Sequence, residues 1–139
     1  MVLDHMAIVV NDIDEARDFF VDNFGFEAAP LQIFSGAWVD ALNGMRDVVA
    51  QNVHLTLGGS AIDLLKFLNP ASTHNRIKRP NDIGLRHFGF SVDDIEATIA
   101  RIQAQGWTFL SQVQTVGKVK TVYFYGPEGI LVQLTENIS

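Results

Sequence analysis

A chain of 139 residues with 47% apolar and 19% charged side chains has the composition of one folded unit, too short for two ordinary domains and unlike a disordered or membrane-embedded chain. Its formal charge of −6 argues against nucleic acid as a partner, because phosphate binding needs clustered Lys and Arg, and the basic run "RIKRP" reads as a solvated loop. Cysteine is absent, which excludes thiolate chemistry and disulfides; with no secretory or membrane-spanning apolar run, no membrane partner is expected and the cytoplasm is the expected location.

The chain opens on "LDHMAIVV", a strand pattern in which His5 shares a face with Leu3, Ala7 and Val9. Asn11 or Asp12 then caps a helix whose buried stripe is Ile13, Ala16, Phe20 and Phe24, and Gly25 ends it. The stretch "FSGAWVDALNGMRDV" is longer than a strand connection needs and has the character of a binding loop, a lid or an edge cover. "VHLTLGGSAIDLLKF" reads as a β-hairpin turning at its glycines. Residues 69–83, rich in Pro, Asn and Ser with no apolar period, read as a connector.

The plan then repeats. "LRHFGFSVDDIEA" matches the opening at an offset of 82, with Leu85 on Leu3, His87 on His5, Val92 on Val10, Asp94 on Asp12 and Ile95 on Ile13. Asp93 or Asp94 caps a second helix with the stripe Ile95, Ile99 and Ile102, closed by Gly106, and "TVYFYGPEGILVQLTE" forms a second hairpin. Aligning Gly59 with Gly129 places Asp63 on Gln133.

A single strand histidine is commonly a core or surface residue. Two histidines at equivalent positions, each followed by a polar residue at an equivalent place in a later strand, point instead to a site. If the halves pack about a pseudo-twofold axis with these faces inward, His5, Asp63, His87 and Gln133 converge, a donor set suited to Ni, Co, Zn, Mn or Fe. Burial of Asp63 without a partner or cation would be costly. The same glycine alignment puts Phe124 opposite His54, so His54, like His74 in the connector, is read as structural or surface. Lys66 falls on the opposite parity, and Trp38, Trp107, Tyr123 and Tyr125 read as core aromatics before pocket ones.

The segments "LDHMAIVVNDIDEARDFFVDNFGFE", "AIDLLKF", "LRHFGFSVDDIEATIARIQAQG" and "FYGPEGILVQL" resemble the vicinal oxygen chelate superfamily, which includes glyoxalase I, methylmalonyl-CoA epimerase, extradiol dioxygenases and bleomycin-resistance proteins. The resemblance covers nearly the whole chain. It implies an α+β fold in which two βαβββ modules, about residues 1–68 and 84–139, form one domain with a partly closed, mixed, barrel-like cavity and helices outside. It also implies a divalent metal held by one residue from the first and one from the last strand of each module, which gives His5, Asp63, His87 and Gln133. Glyoxalase-like members generally carry Glu at both of the places taken here by Asp63 and Gln133. Asp63 is a methylene shorter, and Gln133 ligates only through its carbonyl oxygen and accepts no proton.

Members of glyoxalase and epimerase type polarise a carbonyl on the metal and move a proton at the adjacent carbon through an enediolate, with a carboxylate as base. Asp63 is then the expected base, since Glu128 and Glu136 are poorly placed by turn position and parity. The resemblance therefore implies a metal-dependent lyase or isomerase acting on a small carbonyl or thioester substrate. An Fe(II) dioxygenase using His5, His87 and Asp63, and a metal-free small-molecule binding protein, are the alternatives. Family members commonly form homodimers, so a homodimer is expected.

Overall fold

The computed structural model describes residues 1–73 and 76–139, so the surface role expected of His74 lies outside it. The chain divides into two compact units, Met1–His74 and Asn75–Ser139, each built round one five-stranded sheet.

The first unit runs β1 (Met6–Val9), α1 (Ile13–Phe24), β2 (Glu27–Ala28), β3 (Gln32–Ser35), α2 (Ala37–Asn43), β4 (Val49–Leu57) and β5 (Ser60–Asn69). Its sheet has the order β1-β5-β4-β2, with β3 also paired to β4; β1 lies parallel to β5 and the other pairs are antiparallel. The second unit runs β6 (His87–Ser91), α3 (Ile95–Ala104), β7 (Thr108–Phe109), β8 (Gln114–Val116), β9 (Val119–Tyr125), a single 3-10 turn (Pro127–Gly129) and β10 (Leu131–Asn137). Its order, β6-β10-β9-β7 with β8 also on β9, reproduces the first strand for strand. This is the expected α+β, twofold βαβββ plan, with one additional two-residue strand in each unit. Each sheet is open and does not close on itself.

Helices α1 and α3 each begin at the second of the two caps that the sequence offers. The Asp12 carboxylate accepts from Glu15 N at 2.9 Å and that of Asp94 from Ala97 N at 2.9 Å, satisfying backbone donors that a helix start leaves unpaired. Gly25 adopts φ 77° at the end of α1, a conformation open to glycine at low cost. One face of each sheet packs on its helix: Ala16, Phe20, Val53, Leu55, Ile62 and Leu64 are buried in the first unit, and Ile95, Ile102, Val122, Phe124, Val132 and Leu134 in the second. The alternation of strand side chains then commits the residues between these to the opposite face.

The stretch that interrupts the first half is β3 with α2. Val39 of α2 is buried with Val48 and Ala50, and the half-buried Phe34 and Phe67 pack on them. Asp40 fixes the return to β4 by accepting from Asp47 N at 3.0 Å and Val48 N at 2.8 Å. In the second unit, Ile77 from the connector sits over Gly129, where an added Cβ would lie 2.7 Å from Ile77 Cγ1, and Tyr125 donates its hydroxyl to Lys78 O at 3.1 Å.

Among the described residues no helix is long and apolar enough to cross a membrane.

Candidate metal centre

In the first unit the parallel register sets Ala7 against Asp63 and the antiparallel register sets His54 against Asp63. His5 lies just before β1 rather than within it, two residues from Ala7, and keeps that strand's parity. His5, Asp63 and His54 therefore share the face turned away from α1.

The contacts among them are specific. His5 Nε2 stands 3.5 Å from Asp63 Oδ2, and His54 Nδ1 stands 2.5 Å from Asp63 Oδ1. Each carboxylate oxygen thus faces a different imidazole. His5 Nδ1 is in turn 2.7 Å from Asp4 Oδ2. The hydrogen bond that His5 donates to Asp4, and then the charge of Asp63, hold the His5 pKa above its ordinary value. The Asp63 side chain is 20% exposed and the two imidazoles 42% and 44%, so the carboxylate is held among its partners while ring edges stay open to a ligand. His54, read from the sequence as structural or surface, is hydrogen-bonded to the one carboxylate among the expected ligands.

In the second unit His87 is the first residue of β6 and pairs with Leu131, while Gln133 pairs with Gly89 and Tyr123. His87 and Gln133 consequently lie on one face of their sheet, as their parity predicts. The His87 and Tyr123 rings meet edge to face with centroids 5.2 Å apart, so Tyr123 lies on the His87 face of the sheet rather than in the core. Gln133 Nε2 donates to Thr121 Oγ1 at 2.9 Å, and its Oε1 lies over Gly89, where an added Cβ would come to 3.7 Å.

The register also corrects the alignment of the two hairpins. Gly58 and Gly59 alone separate β4 from β5, whereas residues 126–130 separate β9 from β10. The position equivalent to His54 is accordingly Tyr123, the partner of Gln133, and Phe124 belongs to the core face.

Whether these residues suit a divalent ion is decided by donor chemistry. Metal–nitrogen and metal–oxygen bonds of about 2.0–2.1 Å in a tetrahedral site place two donors roughly 3.3 Å apart, close to the separation of His5 Nε2 and Asp63 Oδ2. Ligating histidines characteristically bond their other ring nitrogen to a carboxylate, and ligating carboxylates are themselves hydrogen-bonded. Asp4 on His5 and His54 on Asp63 have those relationships. Among the described residues no group of three or more His, Cys, Asp or Glu side chains is arranged to hold an ion alone. In the first unit the reason is visible: the His54 nitrogen that faces Asp63 is bonded to it. His5 and Asp63 are therefore a fitting pair of donors, to be completed by others. Glu136 is not free to serve, since its Oε2 accepts from Ile95 N at 2.8 Å at the start of α3.

Comparison with known proteins gives a consistent result. The model of the Glyoxalase/Bleomycin resistance protein/Dioxygenase superfamily matches residues 2–134. The uncharacterized protein YaeR of Escherichia coli (strain K12) is 29% identical over 133 residues, spanning 95% of this chain and 93% of YaeR. A 2-epi-5-epi-valiolone epimerase from Actinomyces sp. is 29% identical over 140 residues, 94% of this chain and 76% of the epimerase. A glyoxalase family protein from Bacillus cereus aligns structurally with TM-score 0.91 at 27% identity, covering 99% of this chain and 94% of that one. A mutant of the fosfomycin resistance protein FosX from Listeria monocytogenes, solved with Mn(II) and 1S,2S-dihydroxypropylphosphonic acid, aligns with TM-score 0.64 at 16% identity over 96% of this chain and 87% of FosX, a likeness of fold.

Proposed function

Because this chain belongs to the Glyoxalase/Bleomycin resistance protein/Dioxygenase superfamily, we propose that it is a metal-dependent isomerase or lyase of epimerase or glyoxalase type, acting on a small carbonyl or thioester substrate by proton transfer. The observation that carries this reading is the His5–Asp63 pair, with Nε2 and Oδ2 facing each other at 3.5 Å and each side chain's other polar atom tied to an outer partner. The epimerase among the relatives is of this class, and FosX, alike in fold, was solved with Mn(II).

His5, Asp63, His87 and Gln133 are the proposed ligands. A divalent ion bound by them supplies Lewis acidity, which lowers the cost of removing a proton beside a carbonyl. The protein's own groups have distinct tasks. Asp63 is the only one of the four able to act as a carboxylate base; with Oδ1 engaged by His54, Oδ2 would take the proton, and it must leave the ion to do so. Gln133 is fixed by Thr121 with its carbonyl oxygen free to accept. Gly89 leaves space in front of that oxygen.

Two measurements test the reading. Metal analysis of untagged protein purified without chelator is expected to find a stoichiometric divalent ion, and His5→Ala and His87→Ala are each expected to lose it. The metal-loaded protein in D2O is then expected to exchange the hydrogen beside the carbonyl of a thioester or hemithioacetal. Oxygen uptake with ferrous iron and a catechol would move the assignment to a dioxygenase. Absence of metal, with ligand binding unaffected by loss of both histidines, would move it to a binding protein.

A further inference from the structure

We infer that His54 is a positioning residue of the proposed metal centre, holding the Asp63 carboxylate so that Oδ2, and not Oδ1, is presented beside His5 Nε2. This deepens the metal reading above and rests on it. The terminal torsion of an aspartate is broad, so a carboxylate on a sheet face has no intrinsic preference for which oxygen it presents. The register of β4 against β5 puts His54 directly opposite Asp63, where side chains of paired strands touch. An ionised carboxylate only accepts hydrogen bonds, so the 2.5 Å contact requires the hydrogen to be on His54 Nδ1. That bond takes Oδ1 and leaves Oδ2 to face His5 at 3.5 Å.

The fold by itself does not require this histidine. The side chain is 44% exposed, and the equivalent position of the second unit carries Tyr123, whose ring lies against His87. There the polar strand residue, Gln133, is oriented from a different position, Thr121. The two units therefore share the device of anchoring that residue from the neighbouring strand while using different side chains for it.

The test compares wild type with His54→Phe, which keeps a planar ring and removes the donor, and His54→Asn, whose amide nitrogen takes the place of Nδ1. Each full-length protein is titrated with Co(II), followed by calorimetry and by the visible spectrum of the bound ion. His54→Phe is expected to weaken Co(II) binding roughly 10–100-fold, the range for losing an outer hydrogen-bond partner of a ligand, and His54→Asn to restore both affinity and spectrum. Equal affinity in wild type and His54→Phe, or no recovery in His54→Asn, would overturn the assignment. Nitrogen-15 spectra of the metal-free wild type supply a reading independent of metal: His54 is expected as the Nδ1–H tautomer, and an Nε2–H tautomer overturns the inference. Failure of wild type to take up Co(II), beside a clear Nδ1–H signal, would refute the metal reading while leaving the His54–Asp63 orientation in force.

Discussion

Gln133 and Thr121 form a directed pair: the Gln133 amide donates to Thr121 Oγ1 at 2.9 Å, while the Thr121 hydroxyl donates its one hydrogen to the Leu134 carbonyl at 3.0 Å. With that hydrogen committed, Oγ1 can only accept from Gln133, which fixes the amide orientation with Oε1 over Gly89. Replacement of Thr121 by Val keeps the shape of the strand residue and frees the amide to rotate. Co(II) affinity is expected to fall roughly tenfold, as for loss of an outer partner of a ligand, while Thr121→Ser stays near wild type by calorimetry.

Gln133→Glu should act in the opposite direction. A second carboxylate adds an anionic donor where the amide offers only a neutral oxygen, and ligand charge is a main determinant of cation affinity. An increase of roughly tenfold in Co(II) affinity is expected from calorimetric titration. An unchanged affinity would mean that residue 133 does not reach the ion.

The pH response follows from His5. Its pKa is raised by the Asp4 hydrogen bond first and by the Asp63 charge second. The stability contributed by those contacts is fully present below the ordinary value of 6.5 and is lost as pH rises through the raised one. Cation binding has the reverse dependence, because His5 must lose its proton to ligate, so affinity should drop as pH falls through the raised value. Asp4→Asn is expected to lower the His5 midpoint in a proton NMR titration and to shift the onset of Co(II) binding to lower pH with it.

Glu136 provides the control carboxylate. It caps α3 at Ile95 N, so Glu136→Ala should cost about 1 kcal/mol in urea unfolding, the usual effect of a lost helix cap. Co(II) affinity and proton exchange should remain those of wild type. A collapse of exchange with the fold intact would transfer the base from Asp63 to Glu136.

Much of the fold was readable in the residues themselves. The offset of 82 between the two openings is the spacing at which Met6 pairs with Ile62 and Phe88 with Val132, and Ala7 with Asp63 and Gly89 with Gln133. Asp12 and Asp94 cap their helices because a short side-chain carboxylate reaches the backbone N–H groups that the first turn leaves unpaired. Parity alone separated Lys66, on the side of Ile62 and Leu64, from Asp63.

His54 was missed for a definable reason. Anchoring the two hairpins on Gly59 and Gly129 assumes turns of equal length, but one turn is Gly58–Gly59 and the other is residues 126–130. The slip of one residue exchanged Tyr123 for Phe124, and in a strand a slip of one exchanges faces. Reading Gly58–Gly59 as a two-residue turn closed by Leu57 and Ser60 would have brought Asp63 opposite His54 by counting outward.

The sequence by itself determined α1, α3, the opening strand of each half, the two hairpins and the parity of their residues, because these follow from periodicities of 3.6 and 2 and from local capping chemistry; α2 and the short strands β2, β3, β7 and β8 carry no such period. Only the tertiary structure decided which side chains meet: His54 with Asp63, Thr121 with Gln133, Glu136 with the start of α3. Those meetings depend on strand register and turn length, where one residue more or less changes every cross-strand partner while leaving the local pattern of the chain almost unaltered.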